Sequence, residues 1–541
     1  MNRIFLIGVS CLIVLAPIVT TGQNLSTDVY PSEDELLEAL NAGDIDYDEY
    51  ILLLDLVQHG IDSTNRYLLD LIPGLFATAD STAGAELESD QSELFTSVSD
   101  AGRSRVRYSY YRTLDSREQF RYRIDSRVTI TEHLRGRMAV RRDLSGRERF
   151  IERAVQYRQT HGLLRSLELG SVVARYGLGS IVGYRGKFLS FSEQLDGESF
   201  LFPDNGGFNG LAVELRPRSW RIKGLATYNR DSTHDAAIMA ATFEREAGRF
   251  RPYMTFGSSH FRNRATGNRL DDFKLAGGLS TNYRRGSTAV EYCVQANAGR
   301  QSGAFLAEGS LKRANSRLSY AAWWYGTEFI DLASGGRGSD FLTQISLPAI
   351  DFTLRSKRPG QRGAQMKGTL GIGDNTRLLG TIVVARRSAD SSNFQWLGGI
   401  ERGLTDRWSL RVDYLQSDRE RDDADGENDR FAHRVRTEAR FTTDRVKARS
   451  YLAFSSTSSY GDYVSLFTGA RMKLNETMRG EIWSNLSRVA KSRIDYWYLY
   501  AKLSQQLMSG ISFSAKLSHR YDRRAAVRHA NAVTLELEAL W

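Results

Sequence analysis

The chain has 541 residues, with 73 Lys+Arg against 64 Asp+Glu, 8 Pro, 2 Cys and 58 aromatic side chains (8 Trp, 25 Tyr, 25 Phe). A mean hydropathy of −0.40 excludes a bundle of membrane-crossing helices, and 41% hydrophobic residues with that aromatic content exclude a disordered chain. What remains is a folded, strand-rich protein.

Asn2-Arg3 precedes one apolar run from Ile4 to Val19, broken by Pro17 and followed by Thr20, Thr21 and Gly22. This is the pattern of a secretory signal peptide, residues 1–23, and the run is short for a membrane span. Cys11 lies inside the apolar stretch, too early for a lipoprotein cysteine. Removal of the signal leaves Cys293 as the only cysteine, so no intrachain disulfide can form.

Residues 24–102 carry 18 acidic side chains and one basic one, Arg66, a net −17. Within residues 24–75 the periodicity predicts a small α-helical segment. Ser32 and Glu35 make a capping box before Leu36, Leu37 and Leu40. A second helix is predicted over 47–58, with Tyr50, Leu53, Leu54 and Val57 on one face and Gly60 ending it. A third starts near Ser63 and stops at Ile72-Pro73-Gly74-Leu75. The stretch Gly60–Leu75 resembles the first half of competence-type helix-hairpin-helix modules, whose hairpin presents backbone N–H groups to a phosphate. That resemblance covers about 16 residues, with Pro73 and Gly74 as the hairpin-like turn. It implies DNA contact, which the −17 charge opposes, since nucleic-acid affinity comes largely from Lys and Arg. Docking to the rest of the chain, or to a periplasmic partner, is the alternative. Residues 76–102 read as a polar linker.

From Arg103 onward, segments of 9–14 residues alternate apolar and polar positions between turn residues. Trp220, Ile222, Gly224, Ala226 and Tyr228 share one face, against Arg221, Lys223, Thr227 and Asn229. Trp408, Leu410, Val412 and Tyr414 oppose Ser409, Arg411 and Asp413; Ile511, Phe513, Ala515 and Leu517 oppose Ser512, Ser514, Lys516 and Ser518. The last segment sets Val533, Leu535, Leu537, Ala539 and Trp541 against Thr534, Glu536 and Glu538. Charged residues in mid-strand suit a watery lumen, and aromatics at both ends of the apolar faces suit the two lipid–water interfaces. The fold class expected over 103–541 is therefore all-β, a large antiparallel transmembrane β-barrel. At roughly 18 residues per strand with its connections, it has about 24 strands, within a range of 22–26. Arg221, Lys223, Arg411, Asp413, Lys516, Glu536 and Glu538 are the lumen-facing candidates.

The terminal aromatic Trp541 resembles the carboxy-terminal signal of bacterial outer-membrane barrels, which implies recognition by the barrel-assembly machinery and contact with outer-membrane lipid and lipopolysaccharide. A glycine-rich stretch, Leu167–Gly179, is similar to segments of outer-membrane barrels that carry helix-hairpin-helix regions in front. Gly177, Gly179, Gly183 and Gly186 permit tight bends, and a kink or a segment folded into the lumen is expected there.

Eight scattered histidines show no metal-ligand spacing, and no nucleophile–base pair stands out, so no cofactor and no enzyme is expected. Asp422–Asp429 misses the EF-hand spacing and reads as a solvated outer loop. Residues 103–541 hold 71 basic and 46 acidic side chains, and 62 of the chain's 73 basic residues are arginine. A lumen or rim of guanidinium groups would favour anions. A channel or export pore, gated or plugged by the acidic segment, is the expected function. A DNA-uptake protein and an assembly barrel holding a periplasmic partner are the alternatives.

Overall fold

The computed structural model describes residues 104–540 apart from a set of connections, of which 184–207, 331–342 and 420–429 are the longest. The expected helices within 24–75, the Pro73-Gly74 turn, the linker, the acidic loop and Trp541 lie outside the described residues.

Alternation over nine or more residues leaves a strand with one apolar face, and such strands follow one another along the chain. Five come first: β1 (Arg105–Thr113), β2 (Phe120–Thr129), β3 (Leu134–Arg142), β4 (Glu148–Arg158) and β5 (Leu164–Val172). After an insertion come β6 (Phe208–Leu215), β7 (Trp220–Arg230), β8 (His234–Arg245), β9 (Phe250–Asn263), β10 (Arg269–Tyr283), β11 (Gly286–Asn297), β12 (Arg300–Arg313) and β13 (Ser316–Tyr325). A second insertion holds a short hairpin, β14 (Thr343–Leu347) and β15 (Phe352–Ser356), which among the described residues pairs only with itself. The series resumes with β16 (Arg362–Ile372), β17 (Thr376–Arg386), β18 (Ser392–Gly403), β19 (Trp408–Arg419), β20 (Arg430–Thr442) and β21 (Val446–Thr457). It ends with β22 (Gly461–Lys473), β23 (Met478–Val489), β24 (Ile494–Met508), β25 (Ile511–Asp522) and β26 (His529–Leu540).

Among the described residues, 24 of these strands form one antiparallel sheet in which each pairs with the next, β13 passing directly to β16. β1 also pairs with β26, from Arg105↔Leu540 to Thr113↔Ala532, so the sheet closes into a barrel. The predicted strand number is thus the observed one.

The two faces differ as the alternation requires. On β7, Trp220 and Tyr228 are exposed outward while Arg221, Leu225, Thr227 and Asn229 are buried inward. Outward-facing Met239, Phe454 and Leu517 are more than half exposed, a surface suited to hydrocarbon. Connections on the rim nearest the chain termini are tight turns. At the turn between β24 and β25, Gly510 has φ +80°, and a Cβ there would collide with the Leu540 carbonyl. Both long insertions, 173–207 and 326–361, leave from the opposite rim. Long connections mark the outer face of such barrels.

Val412 points to lipid from mid-β19 and is partly exposed there. Val412→Arg is expected to cost about 2–4 kcal/mol of folding stability, read from denaturant titrations in phospholipid vesicles, whereas Ser409→Arg on the inward face is expected to cost under about 1 kcal/mol.

Candidate functional site

The sequence from Val172 to Gly183 leaves the end of β5, turns into the barrel and lies against the inner face of β9–β12. Arg175 and Gly183 form an isolated bridge, and Tyr176 N–H donates to the Val182 carbonyl at 2.9 Å. The tip closes through Gly179 N–H to the Tyr176 carbonyl at 3.0 Å. Val172, Ala174, Tyr176, Leu178, Ile181 and Val182 are all buried, in one apolar cluster with Ile238, Ala276, Cys293 and Leu306 of the wall.

Two wall carboxylates hold this loop. Glu291 on β11, 2% exposed, accepts from Leu178 N–H at 2.7 Å, Ser180 N–H at 3.1 Å and the Tyr253 hydroxyl at 2.9 Å. The tip thus forms a nest of backbone donors around a buried carboxyl group, whose accepted hydrogen bonds offset part of the cost of burying it. Glu308 on β12 takes the second contact, from Arg175 Nη2 at 3.2 and 3.3 Å, and the same nitrogen reaches the Leu178 carbonyl at 3.1 Å. Two glycines make the fit possible. Gly177 has φ +57°, and a Cβ there would run into Glu291 and Tyr253. At Gly257 on β9 a Cβ would occupy the place of the Ile181 side chain. Burial in the loop pushes the Tyr176 phenol well above the ordinary tyrosine range, so it stays neutral.

The second insertion uses the same strand. Gln295, one turn of the pleat beyond Glu291 and Cys293 on β11, accepts from Ile330 N–H at 2.9 Å and donates to the Ile330 carbonyl at 2.9 Å. It also donates to Asp272 at 2.8 Å, which lies 3.3 Å from the Lys274 ammonium. Phe329 is fully buried beneath that ammonium, which lies 4.9 Å from its ring centroid, and its ring packs tilted by 47° against Tyr325 at 5.3 Å.

The wall a few strands further round, at β18–β21, has a different inner surface. Asp413 accepts from Arg411 Nε at 3.0 Å and from Arg436 Nε and Nη2 at 3.1 and 3.0 Å. Glu438 takes Arg449 in a bidentate pair at 2.8 and 3.0 Å, and also pairs with Arg440 and with Arg436 at 3.4 Å. Arg440 reaches Glu401 at 3.7 Å. This lattice crosses β18–β21 and is buried, Arg436 to 1%.

The residues singled out from sequence lie on three parts of the wall. Arg221 pairs with Glu214 at 2.9 and 3.0 Å, and Lys223 stands opposite Glu214 in the β6–β7 register. Arg411 and Asp413 join the arginine lattice. Lys516 lies 4.5 Å from the Tyr500 ring centroid, Glu536 meets Lys502 at 3.6 Å, and Glu538 is half-buried opposite Ser512. Glu291, Glu308, Gln295 and Glu438 escape sequence reasoning, because each acts on residues from other strands or loops. Among the described residues no cluster of His, Cys, Asp and Glu could hold a metal ion.

No known family model matches the chain, and no curated protein does. Solved structures do. An E. coli P pilus tip assembly intermediate (PapC-PapD-PapK-PapG) aligns with a TM-score of 0.51 and 11% identity, over 81% of this chain and 61% of that one. The siderophore receptor PirA from Pseudomonas aeruginosa gives 0.45 and 9%, over 81% and 80%. The P pilus usher PapC translocation pore gives 0.43 and 10%, over 81% and 99%. The likeness is one of fold. A closed 24-strand barrel with an apolar outer belt places the chain in an outer membrane.

Glu291→Ala strips the loop tip of the acceptor for two buried N–H groups, each worth about 1–3 kcal/mol when orphaned. Amide exchange at Leu178 and Ser180 is expected to quicken by about tenfold or more, measured by hydrogen–deuterium exchange in detergent micelles, while exchange in β20–β24 stays unchanged.

Proposed function

We propose that the chain is an outer-membrane transport pore, narrowed along one wall by its own loops and closed at rest by its acidic amino-terminal segment 24–102. The observation that carries this reading is the anchoring of both outer-rim insertions on the inner wall, at Glu291 and Gln295 of a single strand. A barrel of 24 strands is too wide to be filled by its own wall side chains. Loops that fold inward and bury polar anchors there reduce the cross-section open to water. A barrel that served only as a scaffold for a periplasmic partner would gain nothing from narrowing its lumen at the outer rim.

Charge supports the second half of the proposal. The segment 24–102 carries −17 and residues 103–541 carry +25, so the two attract each other across the linker. Arginines predominate over lysines in the barrel, and Arg411, Arg436, Arg440 and Arg449 line one stretch of inner wall. Passage along that wall favours anionic material.

Single-channel recording in planar bilayers tests the reading. The mature chain is expected to be silent or nearly so, and a chain beginning near Arg103 to give large, anion-selective steps. Equal silence from both, with each folded and heat-modifiable on gels, would remove the transport reading. The loop is tested separately. Ser180 at the loop tip and Cys293 on β11, the only cysteine of the mature chain, are both buried where the loop meets that strand. Ser180→Cys in the truncated chain is expected to form a disulfide with Cys293, holding conductance at one constant level. Reduction by dithiothreitol is expected to restore current fluctuations as the loop lifts.

A further inference from the structure

The lipid-facing side of the β9–β10 hairpin ends, at the outer rim, in a pair of arginines. Arg262 stands directly opposite Arg269 at the end of the ladder, and both are exposed. Both belong to the outward faces of their strands, which Met254 and Phe256 continue on β9 and Phe273 and Leu275 on β10. Like charges directly opposite on a sheet repel each other, so the pair is held at a cost. The nearby carboxylates do not relieve it. Asp235, across the ladder from Arg262, lies 3.3 Å from Arg230 Nε, and Asp271 is taken by the His260 ring. Among the described residues neither Arg262 nor Arg269 has a carboxylate partner. Arg264, exposed in the connecting turn, brings the group to four guanidiniums against two carboxylates.

The turn is built to present this pair. Asn263 Oδ1 accepts from Ala265 N–H at 2.9 Å and Thr266 N–H at 3.0 Å, and Gly267, at φ +75°, closes the bend. The arginines point away from the lumen, so a preference of the pore for anions does not account for them. Farther down, the same wall is apolar. Met239, Ser258 and Phe273 lie side by side in register on β8, β9 and β10, with Met239 62% and Phe273 50% exposed. The small Ser258 therefore leaves a furrow between two large side chains. Phe273 is four residues from Arg269, about 14 Å along the strand.

Cations at the interface above an open apolar furrow match a ligand with a phosphate at one end and acyl chains at the other. We infer that the outer end of the β9–β10 hairpin binds a phosphorylated glycolipid of the outer leaflet, of the chemical class of lipid A. Its phosphate lies between Arg262 and Arg269, and an acyl chain lies in the furrow at Ser258. Two planar guanidinium forks engage one phosphate together, which turns the repulsion across the ladder into attraction for a shared anion. Depth agrees with this ligand. Arginine on the lipid side of a barrel is costly at the midplane and tolerated near the interface, where lipid phosphates lie.

Lipid binding to the full mature chain in detergent, read by native mass spectrometry, tests the site. Bisphosphorylated lipid A is expected to bind, and Arg262→Gln combined with Arg269→Gln to weaken it about tenfold or more, with folding checked by heat-modifiability. Removing the phosphates from the lipid should weaken binding to the unsubstituted chain by about the same factor. Arg313→Gln combined with Arg402→Gln, at the ends of β12 and β18 on the opposite rim, should leave the affinity unchanged. In the unsubstituted chain, lipid A is also expected to slow amide exchange across 264–268. Equal affinity of the unsubstituted chain and the Arg262/Arg269 double variant for lipid A, or unaltered exchange at 264–268, would overturn the site. Protection of that turn by inorganic phosphate as complete as that by lipid A would overturn the glycolipid as its ligand.

Discussion

A strand that crosses hydrocarbon has no water to satisfy its backbone, so a membrane sheet must pair every edge. The ladder between β1 and β26 meets that demand, joining the two ends of a sheet whose strands are separated by more than 400 residues of chain. Closure at 24 strands then fixes a circumference, and with it a lumen larger than the wall can fill. Much of the interior follows from that surplus of space. Polar groups that point inward need partners, and they find them in two ways. On β9–β12 the partners come from loops that fold back into the barrel. On β18–β21 they come from the neighbouring strands, as arginines and carboxylates alternate across the register.

The strands themselves were legible because their signal is local. Alternation in Trp220–Asn229, Trp408–Tyr414, Ile511–Ser518 and Val533–Trp541 falls within β7, β19, β25 and β26, apart from Trp541 beyond the described residues. Strand ends were less so. β19 runs on to Arg419, beyond Tyr414 where the apolar face read from sequence ends, because its ladders with β18 and β20 continue past the last outward-facing apolar residue. The hairpin of β14 and β15 gave no sequence signal, its strands being only five residues long.

The inner wall was half legible. The glycines at 177 and 179 announced an unusual path for the chain, and the stretch from Val172 to Gly183 does leave the wall and enter the lumen. A second sign lay in Ala236–Phe243, apolar at nearly every position in a barrel whose other strands alternate. A strand apolar on both faces is one whose inner face is covered, and Ala236, Ile238 and Ala240 are buried in the cluster beneath the inserted loop. The anchors were hidden. Nothing around Glu291 marks it off from any other acidic residue on a polar face, since the donors it serves are 111 and 113 positions earlier. The arginine lattice is similar: Arg411 and Asp413 show in one strand, but Arg436, Glu438 and Arg449 become its partners only when register is known.

That separation sets an order of events for a growing barrel. The loop after β5 is made well before β11 and β12, and until Glu291 and Glu308 are in place its tip has no buried acceptor for Leu178 and Ser180 and no carboxylate for Arg175. Contacts so distant in sequence form late, because the chain between them must first be ordered. The loop therefore has no seat until β11 and β12 are in the wall, whichever end of the sheet forms first. β11, which carries both Glu291 and Gln295, serves both insertions, so the narrowing of the lumen cannot precede the incorporation of that one strand.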